Sequence, residues 1–134
     1  MAKVLVVDDS EFFRTLFTKA LTDAGFEVET AENGRQAVDI LLASPAELVL
    51  LDLVMPVMTG EEALAEIKKH EEIKNVPVIM LTSISVEVKG KELLTKGSLV
   101  AYLTKDDVTP EQVVSKAKEV LGTYEQSLDT GASQ

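Results

Sequence analysis

Asp8, Asp9, Asp52, Thr82 and Lys105 share one property: each stands at the exit of a short apolar run. Two carboxylates about 4 Å apart repel by roughly 4 kcal/mol at an effective dielectric near 20. Three on one rim therefore call for a cation. All-oxygen ligands select a hard ion, and a few carboxylates with positions left for water suit Mg²⁺ better than a dedicated Ca²⁺ cage. Such a site also holds phosphate oxygens, and a lysine opposite supplies a second positive charge to a developing phosphoryl group. Asp52, at the end of the middle run, is the carboxylate best placed to attack phosphorus in line. Each residue has an ordinary reading too: Asp8 and Asp9 as helix caps, Lys105 as a surface partner of Asp106 or Asp107, Thr82 as a turn residue, Tyr102 as a half-buried strand aromatic. Only their joint placement carries weight.

That placement depends on the elements between them. Lys3–Val7 is a β-branched run, and Leu48–Leu51 is uninterruptedly apolar, the pattern of a strand buried on both faces. Residues 76–81 and 99–103 read the same way, with Pro77 tolerable at a strand start. Residues 27–30 alternate, which suits an edge strand. Phe13, Leu16, Phe17, Ala20, Leu21 and Ala24 recur at helical spacing, and Gly25 ends that helix. A second helix opens at Asn33-Gly34 and ends at Ser44-Pro45. Thr59 and Glu62 form a capping box that starts a third, running to about His70. A weaker helix is expected over 86–96, since Gly90 in its middle costs about 1 kcal/mol against Ala. Thr109-Pro110-Glu111-Gln112 starts the last, which Gly122 is expected to stop. Strict β-α alternation, five times over, gives a doubly wound parallel sheet with helices on both faces. With the most polar strand at an edge, the order is 2-1-3-4-5. In such a sheet, ligands sit at the carboxyl edge, where the five polar residues gather.

The chain of 134 residues suffices for one domain over 1–122, with a polar, aperiodic tail over 123–134. There is no cysteine, hence no thiol nucleophile and no Cys-based zinc site. One histidine, His70, rules out a triad. No stretch approaches the length of a spanning helix, and the N-terminal apolar run is too short for a signal peptide, so we expect a cytoplasmic protein without membrane contact. A net charge of −10 disfavours direct nucleic-acid binding and suits a cation or basic partners.

Val-Leu-Val-Val-Asp-Asp-Ser, Leu-Asp-Leu-Val-Met-Pro-Val-Met-Thr-Gly, Met-Leu-Thr-Ser and Ala-Tyr-Leu-Thr-Lys closely resemble the receiver domain of two-component response regulators, over about residues 3–122. The resemblance implies a (βα)5 sandwich with the flavodoxin-like order 2-1-3-4-5, an order a chemotaxis member of the family also has. It implies a signalling switch rather than a turnover enzyme, with Asp52 as phosphoacceptor for a histidine kinase, a phosphotransfer protein or a small donor such as acetyl phosphate. Asp9, Asp52 and the Val54 carbonyl are implied as direct Mg²⁺ ligands, with Asp8 acting mainly through water. Lys105 is implied as the partner of Asp52 and later of its phosphate, Thr82 as the switch hydroxyl, and Tyr102 as the aromatic that turns inward with it. The implied output surface is the helix over 86–96, the strand over 99–103 and the last helix, which would shift population on phosphorylation to control a protein target. The family context implies a monomer or a weak phosphorylation-dependent dimer.

The chain departs from the family pattern in three ways. Asp106 stands where a proline with a cis peptide usually follows the lysine; a cis bond to a non-proline residue costs about 3–4 kcal/mol, so a trans peptide is expected. Gly97 to Lys105 is one residue longer than the commonest spacing. Val54 and Ile84 are apolar at two positions that govern access of attacking water, which implies slow self-dephosphorylation. Other functions fit less well. A haloacid-dehalogenase-type phosphatase needs a second acid where Val54 stands, and a nucleotide-binding fold needs a glycine-rich loop where Asp8-Asp9-Ser10 stands. An unphosphorylated scaffold would have no use for the acids, Thr82 and Lys105 together.

Overall fold

The computed structural model describes residues 2–84 and 99–128, with side chains described as far as Gly122. The elements are β1 (Lys3–Val7), α1 (Glu11–Asp23), β2 (Glu27–Ala31), α2 (Gly34–Ala43), β3 (Leu48–Leu51), α3 (Gly60–Lys69), β4 (Val78–Thr82), β5 (Ala101–Thr104) and α4 (Pro110–Leu128). All strand pairs are parallel, in the order β2-β1-β3-β4-β5. The helix expected over 86–96 lies outside the described residues.

Alternation along the strands splits the core into two layers. Leu5, Val7, Val49, Leu51, Val78 and Met80 pack with Ala37, Leu41, Ala63 and Ile67 of α2 and α3. Their neighbours Val4, Val6, Leu48, Leu50, Ile79 and Leu81 pack with Phe17 and Leu21 of α1 and Val113, Ala117 and Leu121 of α4. A strand covered on both sides has no wet face, which is why Leu48–Leu51 carries no polar residue. Each of its leucines contributes about 1.5–3 kcal/mol by leaving water.

Register sets the site. Val7 pairs with Leu51, so Asp8 and Asp52 leave neighbouring strands side by side. The ladder continues one step beyond, with Asp52 N donating to Val7 O at 3.0 Å and Asp8 N to Ala31 O at 3.1 Å. On the other side Thr82 pairs with Thr104, which delivers Lys105 to the same rim.

The boundaries differ from expectation at three places. β4 begins at Val78, because Pro77 has no N–H and joins the sheet only through its carbonyl, which accepts from Val49 N at 3.0 Å. β5 begins at Ala101: the chain bends at Val100, leaving Leu99 in the core and Val100 exposed. The last helix does not stop at Gly122 but continues to Leu128. Gly25 ends α1 because it adopts φ +100°, with Phe26 N reaching Leu21 O and Gly25 N reaching Thr22 O. Gly122 is absent from the left-handed region, and a glycine in helical φ costs only about 1 kcal/mol.

The loop from Asp52 to Gly60 is pinned at both ends. Gly60 N donates to Leu53 O at 2.8 Å, and Gly34 N at the start of α2 donates to Met58 O at 3.3 Å. Between them, Met58 N donates back to Pro56 O at 2.6 Å around Val57, whose φ is +69°. That is a γ-turn in its strained, positive-φ form, on a β-branched residue. Val57 is 81% exposed, so its side chain contributes little packing. Relief of about 1–3 kcal/mol of strain outweighs the roughly 0.5–1 kcal/mol entropic cost of glycine. Val57→Gly is expected to stabilise the protein by about 1 kcal/mol, read as a higher urea midpoint at unchanged slope.

Candidate functional site

The rim residues converge. Asp8, Asp52, Thr82 and Lys105 are the buried polar and charged residues among those described, while Asp9 is exposed beside them. One carboxylate oxygen each of Asp8, Asp9 and Asp52 lies within 4.8 Å of the other two. The Lys105 ammonium lies 2.6 Å from Asp8 Oδ2 and 3.2 Å from Asp52 Oδ2. Asp52 Oδ1 accepts from Leu53 N at 2.7 Å. Thr82 hydrogen-bonds the Asp52 carboxylate, and its Oγ1 accepts from Ile84 N at 3.4 Å. Tyr102 is buried, and its hydroxyl donates to Ile84 O at 2.9 Å. Val54 follows in the pinned loop with its side chain exposed.

The ordinary readings can be set against this geometry. Ser10, rather than either aspartate, caps α1, its Oγ accepting from Phe13 N at 3.3 Å. Asp8 Oδ1 accepts from Ser10 N at 2.9 Å, which fixes the carboxylate without capping the helix. Lys105 begins a 3₁₀ turn, Lys105–Asp107, and points inward, leaving Asp106 and Asp107 exposed. No cis peptide occurs among the described residues, so Lys105–Asp106 is trans as expected. His70 terminates α3 half-buried, 3.6 Å from Glu66.

Three features escaped the sequence. The lysine sits closer to Asp8 than to Asp52. Arg14, one turn after Ser10, donates from Nη1 to Asp8 O at 2.8 Å and so ties α1 to the end of β1. Phe13, read as a core residue, lies under the lysine, with the ammonium 4.3 Å from its ring centroid. The period that puts Phe13 on the inner face of α1 also puts it in the first turn, beside the β1 exit; that was the available signal.

Three carboxylates and one ammonium leave the site at a net charge of −2, which a divalent cation would cancel. All donors are oxygens, and the open side of exposed Asp9 leaves room for water, so the residues fit a hard ion such as Mg²⁺. Without one, burial holds the Asp52 carboxyl above its usual value of 3.8; Lys105 opposes this, Asp8 adds to it, and the Thr82 and Lys105 hydrogen bonds oppose it. An acid whose pKa rises on folding makes folding less favourable once it ionises. Below pH 3.8 the carboxyl is protonated folded and unfolded, and the penalty vanishes; it grows as pH rises through the elevated folded value. Asp52→Asn is therefore expected to raise the melting temperature in metal-free buffer at pH 7, by a margin that shrinks as pH falls towards 3.8. Thermal scans across that range check it; an Asn variant no more stable at pH 7 contradicts it.

A five-stranded parallel sheet in this order, with an acidic cluster and a lysine at its carboxyl edge, defines an α/β signalling module of the receiver type. The chain belongs to the response regulator receiver domain family, whose model matches residues 4–118. It is 39% identical over 122 residues to the chemotaxis protein CheY of Halobacterium salinarum, covering 90% of this chain and 98% of that one. It is 37% identical to a protein-glutamate methylesterase/protein-glutamine glutaminase of Archaeoglobus fulgidus, covering 96% of this chain but 36% of that protein. Among solved structures it is similar to Vibrio cholerae CheY4, with TM-score 0.81 and 36% identity, covering 90% of this chain and 98% of that one. A CheY-like receiver domain of Methanospirillum hungatei superposes with TM-score 0.85 at 26% identity, covering 95% and 98%. This is a CheY-like receiver domain of a two-component system. No helix among the described residues is long and apolar enough to cross a membrane.

Proposed function

We propose that Asp52 is the phosphoacceptor of a Mg²⁺-dependent switch. The observation that carries this is its buried meeting with Lys105 and two further carboxylates at the exits of parallel strands. The phosphoryl group comes from a phosphohistidine on a histidine kinase or phosphotransfer protein, or from acetyl phosphate. An Asp52 oxygen forms the new O–P bond as the P–N bond breaks; the departing imidazole keeps the electron pair and takes a proton from solvent. Asp9, Asp52 and the Val54 carbonyl would hold Mg²⁺ directly, and Asp8 mainly through water; when bound, the ion supplies positive charge to the phosphate oxygens. Lys105 stays within reach of Asp52 and of an oxygen attached to it. Phe12, Val54 and Val57 are exposed and apolar on the elements that lead away from the rim, a surface suited to a partner helix that carries the histidine.

The output rests on Thr82 and Tyr102. A phosphoryl oxygen on Asp52 draws the Thr82 hydroxyl, and the inward Tyr102, tied to Ile84 O, follows the residue two places on. The affected surface is β5, α4 and the segment over 86–96, where an unidentified protein target binds. The domain ends near residue 122 and the remainder is tail or linker; the protein works in the cytoplasm as a monomer or weak phosphorylation-dependent dimer, without direct nucleic-acid contact. Its own dephosphorylation is slow, because Val54 and Ile84 offer no polar group to an attacking water. Val54→Asn is expected to shorten the aspartyl-phosphate lifetime several-fold, and an unchanged or longer lifetime contradicts this.

Beryllofluoride with Mg²⁺ mimics an aspartyl phosphate and tests the reading by thermal shift. The wild type is expected to gain stability only when both are present, and Asp52→Ala to gain none. An equal gain in the two proteins overturns it.

A further inference from the structure

The Lys105 ammonium is bounded by Asp8 at 2.6 Å, Asp52 at 3.2 Å and the Phe13 ring at 4.3 Å to its centroid. The ring is itself braced. Phe17, buried in the core, stacks on it at 5.9 Å and 11°, and Phe12 meets it edge-on at 5.2 Å and 77°. Ser10 fixes the backbone of Phe13 through the helix cap. Beyond Lys105 the chain continues through an exposed 3₁₀ turn, so the firm restraint on the lysine comes from across the rim.

A lysine has a long flexible stem and a compact charge, and holding it in one place costs rotamer freedom. Two carboxylates alone offer it two competing anchors. An aromatic face attracts a cation without demanding one hydrogen-bond direction, and does so most strongly where water is excluded. We propose that Phe13 is a positioning residue, holding the Lys105 ammonium between Asp8 and Asp52 while letting it pivot towards a group attached to Asp52. The proposal rests on the phosphoacceptor reading above and adds to it a residue of α1 that touches neither metal nor phosphoryl group.

The test uses the full chain with acetyl phosphate and Mg²⁺, reading initial phosphoryl incorporation by intact mass. Phe13→Leu keeps an apolar side chain of similar size but removes the ring; it is expected to slow incorporation by about tenfold. Phe13→Tyr is expected to retain nearly the wild-type rate. In a Lys105→Ala background, Phe13→Leu is expected to add nothing, because the ring then has no cation to hold. The Lys105 ε-methylene protons should carry an upfield ring-current shift in the wild type and in Phe13→Tyr, and lose it in Phe13→Leu. Equal slowing by Leu and Tyr, the same Leu effect with and without Lys105, or an unshifted lysine resonance each overturns the proposal. No phosphoryl gain in the wild type would instead overturn the phosphoacceptor reading, and the resonance would still decide the Phe13–Lys105 contact.

Discussion

Lys105→Met is expected to destabilise the metal-free protein at pH 7 by about 3–5 kcal/mol, the usual consequence of stranding the partner of a buried ion pair. The stem of methionine fills similar space, so the loss is electrostatic. Asp8 and Asp52 side chains are 4% and 7% exposed, and Lys105 is the cation paired with both. Without it, two buried carboxylates face each other with Asp9 alongside. Two remedies should restore stability in the variant. Acid does so by protonating the carboxyls. Mg²⁺ does so because an ion that binds only the folded state stabilises in proportion to the logarithm of its concentration above Kd. The variant's urea midpoint should therefore rise more steeply with Mg²⁺ than the wild type's. A loss under about 1 kcal/mol, insensitive to Mg²⁺, would mean that the acids already neutralise one another.

Gly60→Ala is expected to cost about 3 kcal/mol and to impair phosphorylation as well. A Cβ at Gly60 would stand 2.2 Å from Asp52 O and 2.8 Å from Leu53 Cα, both backbone atoms that no side-chain rotation can move. The first turn of α3 is pressed against the loop that carries the phosphoacceptor, and Gly60 N bonds Leu53 O. Accommodating one methyl group therefore displaces either the helix or Asp52. A displacement near 1 Å at a reacting group costs on the order of 100-fold in rate. Chemical denaturation and acetyl phosphate kinetics check the two effects separately. A variant as stable and as fast as wild type would show that the close approach is not needed.

The sheet order and the rim were legible because their signals are redundant. Leu48–Leu51 has no polar residue, β2 alternates, and each crossover helix carries a cap or a glycine stop. Asp52 stood out because a charge ends an otherwise buried strand. Other features depended on contacts between distant residues. The Lys105–Asp8 distance follows from the register of three strands and from the rotamer of a four-carbon stem, neither of which local sequence encodes. The γ-turn at Val57 contradicts local preference, since a β-branched residue disfavours positive φ. The two pins on the loop supply the constraint that overrides it. Gly122 shows the converse: a residue that can end a helix does so only when the chain beyond turns left-handed, and here the helix runs on to Leu128.

The central claim is that Asp52 carries the phosphoryl group. Incubation of the full chain with acetyl phosphate and Mg²⁺, followed by intact mass measurement, tests it most directly. The expected result is a gain of one phosphoryl group that survives acid, is lost in base, requires Mg²⁺ and is missing in Asp52→Ala. No gain in the wild type, or an equal gain in Asp52→Ala, would contradict it.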